Sequence, residues 1–249
     1  MKKALLLLFV LAGGLRAENV AILLAAASDE ELQPLIARLD HPRNESRAAW
    51  QFWLGTLDGQ PVVLTRTEGD PLNAVAATTL AIRRYAPKLI ITFGTARAHD
   101  PALHAGDVVV SRGFTAFDGM FSHSRKSGEG ISPLEWEPLL HPLVTAGERE
   151  TEEREFPADP AALAAAEKLP APRGRLITGV LGSANQVNRE ADRIAWIRSH
   201  WHTATEDGES AHIAGCARLF GVPVIGFRVV DGSPAEVAAL AARLLEAIR

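Results

Sequence analysis

The chain has 249 residues, 47% hydrophobic and 22% charged, with a formal net charge of −4. That is enough apolar mass for one large buried core, so one domain is the expectation. An acidic balance with no basic block makes nucleic acid a poor partner, and a lone cysteine, Cys216 in an apolar segment, leaves no pair for an internal disulfide.

In chain order, the first feature is an export signal. The opening MKKALLLLFVLAGGLRAEN sets Lys2 and Lys3 before an apolar run over 4–12, then small residues up to Ala17. This is the layout of a secretory signal peptide. The run is too short to span a bilayer comfortably and nothing downstream is longer. Residues 1–17 are therefore read as a signal and 18–249 as an exported domain, periplasmic or secreted, with no membrane partner once the signal is removed. Loss of Lys2, Lys3 and Arg16 takes the formal charge to about −7.

Residues 19–26 form a continuous apolar run ending in small side chains, which predicts a strand buried on both faces, and 30–39 follow with helical spacing. Segments 50–57 and 61–66 flank Asp58-Gly59, a strong hairpin signal. A helix is expected over 71–85, a buried strand over 88–93 stopping at Gly94, and another strand over 107–111. Periodicity is lost from 113 to 157, which predicts a long excursion over one end of the sheet. Order resumes with a helix over 160–168, strand 175–182, helix 189–200, strand 202–206, helix 209–220, strand 222–230 and a closing helix from 234. The alternation predicts an α/β single-domain three-layer fold, its central twisted sheet mixed but mostly parallel and flanked by helices.

In open α/β sheets the ligand sits beyond the carboxyl ends of the strands. Those ends carry Asp29, Glu30 and Glu31; Gly94, Thr95 and Ala96; Ser183 to Val187; Glu206, Asp207 and Glu209; and Asp231. The stretch EDGESAHIAG reads in two ways. Gly208-Glu209-Ser210-Ala211-His212 approaches the Gly-x-Ser-x-Gly nucleophile elbow. The last histidine of the chain is His212, however, two residues past the serine, so no later base completes a triad. The other reading uses carboxylates. Glu209 in the first turn of a helix is favoured as an anion, and an ionised carboxylate accepts hydrogen bonds from two adjacent hydroxyls, the pattern of a ribose diol. The plain alternatives are that Glu31 and Glu209 are charges at helix starts and Asp231 a turn residue before Gly232. Arg228, inside an apolar strand, is expected to be an ion-pair partner.

The segments NREADRIAWI, EDGESAHIAGCARLFGVPV and GFRVVD, with EELQPLIARL, GTLDGQPVVL, NAVAATTLAI and ITFGTARAHDPALHAGDVVVS in the same order upstream, resemble the nucleoside phosphorylase superfamily, in particular its methylthioadenosine/S-adenosylhomocysteine nucleosidases and their exported relatives. The resemblance implies a hydrolase that cleaves the N-glycosidic bond of a purine nucleoside with water, with no cofactor, and associating as a homodimer; the histidines, including His200 and His202, show no metal-ligand spacing with Cys or Glu support, so no metal is expected. It makes Glu31 the residue that polarises water and Asp231 the acid for the leaving base. Glu209 would bind the ribose hydroxyls, with Asp207, Gly208, Gly94, Thr95, Gln186 and Val187 as further substrate-binding residues. The family's leaving-base aspartate falls one place later, on Gly232. Gly208 stands for a methionine that packs on the ribose, Gln186 for a phenylalanine that stacks on the base, and Arg97-Ala98 for a Gly-Gly pair. Thr92 stands where the phosphorylases carry a phosphate-binding arginine, which favours water as nucleophile. The alternatives are a catalytically weakened nucleoside-binding or storage protein on the same fold, or a phosphorylase.

Overall fold

The computed structural model describes residues 22–145 and 151–249, so the segment 1–17, expected from the sequence to be a signal peptide, lies outside the described residues. Fourteen strands and six α-helices alternate along it. The first half carries β1 (Ile22–Ala26), α1 (Asp29–Ile36), β2 (Asp40–Arg47), β3 (Trp50–Leu57), β4 (Gln60–Arg66), α2 (Pro71–Tyr85), β5 (Leu89–Ala98) and β6 (Val108–Ala116). Short strands follow: β7 (Met120–Phe121), β8 (Glu137–Pro138), β9 (His141–Leu143), β10 (Thr151–Glu153) and β11 (Phe156–Pro157). The chain closes with α3 (Pro160–Ala166), β12 (Leu176–Ser183), α4 (Ala191–Trp201), β13 (Thr203–Asp207), α5 (Ser210–Phe220), β14 (Val224–Val230) and α6 (Pro234–Ala247).

The fold is a mixed α/β single domain, but the twisted, mostly parallel sheet expected from the sequence is corrected by the strand pairing. The ten-stranded sheet runs β11-β6-β12-β13-β5-β1-β4-β3-β2, and β14 bridges β5 and β6. The strands β5, β14, β6, β12 and β13 thereby close a partial ring, with β1, β4, β3 and β2 extending from it. Pairings in the sheet divide evenly between parallel and antiparallel. Hydrophobic runs report that a strand is buried, not which way it points. Direction is set by the connections. The short link 99–107 contains no helix, so β6 returns antiparallel to β14, itself parallel to β5.

Local chemistry explains most boundaries. Three helices begin with a capping residue followed by proline: Asp70-Pro71, Asp159-Pro160 and Ser233-Pro234. Each cap side chain accepts a backbone N–H of the first turn, and Glu236 completes a capping box with Ser233. Asp58 and Gly59 both have positive φ, 50° and 81°, as the expected tight hairpin requires. The strand expected from 202 starts at Thr203, because His202 is the left-handed cap of α4. β2 had no apolar signal at all. Its sequence DHPRNESR is almost wholly exposed, and its charges suit the outer edge of a sheet that must not pair further.

The excursion after 113 is less irregular than expected. β6 continues to Ala116, the pairs β7–β8 and β9–β10 form small ribbons, and β11 returns to pair with β6. Trp136 packs with Met120 against a second apolar cluster of Phe117, Ala184, Trp196, Ile197 and Trp201. The main core lies between the sheet and α1, α2, α5 and α6, and includes all five residues of β1. Among the described residues, no helix is long and apolar enough to cross a membrane.

Candidate active site

The site is built at the carboxyl ends of the strands, and its floor is acidic and dry. After β1 the chain turns straight into α1, whose cap Ser28 accepts the Glu31 N–H. This points the Glu31 side chain back under the sheet, where the residue is 5% exposed. Its carboxylate accepts the Thr95 N–H at 3.0 Å and the Ala27 N–H at 3.1 Å. Gly94 is the residue that permits this approach: a Cβ there would sit 3.1 Å from Glu31 Oε1. Glu31 is therefore not a solvated first-turn charge.

The second part of the floor is a buried charge cluster centred on Arg228. Its Nε lies 3.0 Å from Asp207 Oδ2, and its Nη2 lies 3.5 Å from Glu209 Oε1 and donates to Thr92 Oγ1 at 3.2 Å. The expected ion-pair role of Arg228 is what the geometry shows. Asp207 is fully engaged: Oδ1 accepts the N–H groups of Glu209 and Ser210 at 2.7 Å each and the Ser183 hydroxyl, while Oδ2 accepts the Ser210 hydroxyl. Burial alone would raise its pKa, but Arg228 and the Ser210 and Glu209 donors outweigh it and hold the group below the usual carboxylate range.

Glu209 behaves differently. The helix start was expected to keep it ionised, yet Asp207 takes the α5 N-terminal donors and the Glu209 side chain makes no cap bond. Burial pushes its carboxyl up to about 7, with Asp207 and Glu31 adding to the rise and Arg228 and Thr67 opposing it. The Thr67 hydroxyl donates to Glu209 Oε2. Since a carboxylate offers about four lone-pair sites, both oxygens retain acceptor capacity.

Above this floor opens a cleft of about 670 Å³. Its walls include Thr95, Gln186, Val187, Asp207, Gly208 and Asp231, drawn from the ends of β5, β12, β13 and β14. Glu31, Glu209 and Gly94 are not in the wall itself; Glu31 is tied to it by the Thr95 N–H, Glu209 by its own backbone N–H on Asp207, and Gly94 precedes Thr95. Asp231 is exposed at the rim in a left-handed turn, φ 42°, with its N–H on the Ala96 carbonyl at 3.1 Å. Gly232 cannot carry a side chain in this turn, since a Cβ would lie 2.4 Å from Val229 Cγ1. Gly208 is equally constrained: a Cβ would fall 2.0 Å from the Gly69 carbonyl oxygen, so nothing of methionine size fits there. A larger groove of about 870 Å³, between residues 98–103 and α4, holds none of these carboxylates.

Ser210 is buried, with its hydroxyl bonded to Asp207 and Ser183, while His212 points instead to Asp118 at 3.7 Å. The elbow geometry of a serine hydrolase is not formed. On the far wall, Glu206 accepts both the backbone and side-chain N–H of Asn188, and also meets His99 Nε2 at 3.0 Å. That clamp fixes the loop carrying Gln186 and Val187.

A family profile described as the "Phosphorylase superfamily" matches residues 20–247. The chain belongs to the phosphorylase superfamily. Within this superfamily, it is 25% identical over 213 residues to a 5'-methylthioadenosine/S-adenosylhomocysteine nucleosidase of Bacillus thuringiensis (strain Al Hakam), covering 84% of each chain. The corresponding protein of Bacillus licheniformis is 24% identical over the same length. Among solved structures, the nucleosidase of that name from Colwellia psychrerythraea 34H, in complex with adenine, superposes with a TM-score of 0.75 at 19% identity, covering 93% of this chain and 97% of that one. The S. pneumoniae enzyme with the transition-state inhibitor MT-ImmA gives the same TM-score and identity, covering 92% and 100%. At such identities the superpositions establish the phosphorylase-superfamily fold.

Several site residues escaped the sequence reading. Thr67 directly follows β4, and that strand-end position is the signal that marks it. Ser183 was noted as a strand-end residue, but its bond to Asp207 needed the register of β12 against β13, which pairs the two residues. The His99–Glu206–Asn188 clamp joins positions far apart in sequence, and nothing local marks it.

Proposed function

We propose that the protein is a hydrolase that cleaves the N-glycosidic bond of a purine nucleoside of the methylthioadenosine/S-adenosylhomocysteine type, using water. The reading is supported by one cleft that Asp231 lines, behind whose wall two buried carboxylates from other strand ends stand: Glu31, bonded to the Thr95 N–H, and Glu209, next to Asp207. The sequence relatives bear the corresponding name, and the family match spans nearly the whole chain.

In this reading Glu209, ionised, accepts the ribose hydroxyls, and Arg228 and Thr67 hold its carboxylate in place. Glu31 polarises a water next to the sugar carbon, and Asp231 delivers a proton to the departing base. Such acid and base groups each contribute about 10² to 10⁴ in rate. Thr95, Gln186 and Val187 shape the cleft, whereas Asp207 and Gly208 act by position: one holds Arg228 and the α5 start, the other lets the loop pass Gly69. Thr92 is buried and bonded to Arg228, so no cation for phosphate stands at that strand position. This supports water over phosphate as nucleophile.

The test is incubation of purified protein with methylthioadenosine, S-adenosylhomocysteine, adenosine and inosine, with and without phosphate. Free base without phosphate is the expected result. Release only with phosphate means phosphorolysis, and binding without turnover means a nucleoside-binding protein. We also propose export through the 1–17 segment, checked by mature-protein mass, and association as a homodimer. The exposed apolar residues Leu72 and Val75 on α2, with Leu219 and Phe220 on the adjoining α5, support a subunit contact. Sedimentation velocity tests it.

A further inference from the structure

Arg97 stands at the end of β5 between two acidic strand ends. In register it pairs with Glu206 of β13 on one side; on the other, one place beyond the Val230–Ala96 pair, it faces the turn that carries Asp231. Glu206 does not hold it, because the carboxylate oxygens of Glu206 are occupied by His99 and Asn188. Among the described residues, the Arg97 guanidinium has no hydrogen bond and no ion pair, and the residue is exposed where it lines the cleft. Arg198 and Arg228, by contrast, are both paired with carboxylates. An uncommitted cation therefore sits beside the proposed leaving-group acid.

We propose that Arg97 is a further catalytic residue, stabilising the negative charge that builds on the purine as its bond to the sugar breaks. The inference rests on the hydrolysis proposed above. In the balanced step, the C1′–N9 bond breaks and its electron pair stays with the purine. The water oxygen bonds to C1′, its proton passes to Glu31, and the Asp231 carboxyl gives its proton to a ring nitrogen of the base. Arg97 keeps all its protons throughout and donates hydrogen bonds to the electron-rich ring. A guanidinium suits this task because it has five donors, no acceptor and a permanent charge, whereas a purine in departure presents acceptor nitrogens. A cation that meets charge as it develops accelerates the step more than it aids ground-state binding. Asp231 is exposed at the rim, so leaving-group assistance is shared between a proton donor and the cation next to it.

The test uses the whole protein and a set of nucleosides with one 5′ group and purines of graded acidity, carrying 6-chloro, 2-fluoro and amino substituents. Arg97→Ala is expected to lose about 10- to 100-fold in kcat on the poorest leaving group and little on the best, steepening the dependence of rate on base acidity. Arg97→Lys recovers part of the loss by restoring charge. Melting temperatures stay at the wild-type value, because the side chain has no folded-state partner to lose. A uniform loss across the series, or no loss at all, overturns the inference while leaving the hydrolysis standing. A wild-type protein that cleaves none of the series removes both.

Discussion

The floor and the rim of the cleft follow opposite rules. Behind the cleft wall, Glu31, Glu209 and Arg228 are nearly fully buried, Asp207 joins them to the wall, and each has its partners in the protein. Around the opening, Arg97, Gln186, Val187 and Asp231 are exposed, and Arg97 is without a partner among the described residues. A paired floor is fixed before any ligand arrives, which suits recognition of an invariant sugar diol. On the proposed function, a solvated rim gains its partners only when a base enters, which makes it the place to adjust leaving-group chemistry and base preference. The lesson is that one cleft divides rigidity and adaptability between its two levels.

The sharpest break of this contrast removes the centre of the floor. Arg228→Ala leaves Asp207 and Glu209 buried without a counter-charge, and a loss of about 3 to 5 kcal/mol in stability is expected from chemical denaturation. Next in size is Glu31→Gln, which keeps the volume but loses the base. It should lower kcat by about 10² to 10⁴ in single-turnover assays. Gly208→Ala places a methyl group against the Gly69 carbonyl, so the loop must move. A cost of about 1 to 3 kcal/mol in stability and a raised KM are expected.

The smallest effect is a dependence on pH with two opposed readouts. The carboxyl of Glu209 is raised from 4.5 to about 7, so folding favours its protonated form. Its contribution to stability is complete below about 4.5 and lost as pH rises through 7. Asp207 is shifted the other way and contributes above its ordinary value of 3.8, losing that contribution as pH falls through its lowered folded pKa. Melting temperature should therefore decline between pH 5 and 8 while nucleoside affinity improves, because the ionised carboxylate is the better acceptor. Glu209→Gln should flatten both curves.

Much of this was legible in the sequence where the signal is local. Hairpin chemistry at Asp58-Gly59, the proline-marked helix starts and the apolar centres of the strands fell where expected because neighbouring residues determine them, but β5 runs past the expected stop at Gly94 to Ala98 and β6 past Ser111 to Ala116, extensions held by pairing with distant strands. The acidic strand ends were also readable, since chain order places them at the sheet's carboxyl edge. Ring closure was not: it depends on β5 meeting β14 along its length and β13 only at Arg97 and Ala98. The state of Glu209 was likewise hidden. A helix start argues for an anion, but burial beside Asp207 and Glu31 reverses the balance, and burial is a tertiary property.

The most direct test of the central claim, that Glu209 holds the ribose of a bound nucleoside, is a cycle pairing Glu209→Gln with a 2′-deoxy nucleoside, read as kcat/KM. Removing the hydroxyl is expected to cost the wild type about 10-fold or more, a charged hydrogen bond being worth about 1.5 to 3 kcal/mol, and to cost the variant little. Equal losses in both proteins would contradict it, because the hydroxyl and the carboxylate would then act independently.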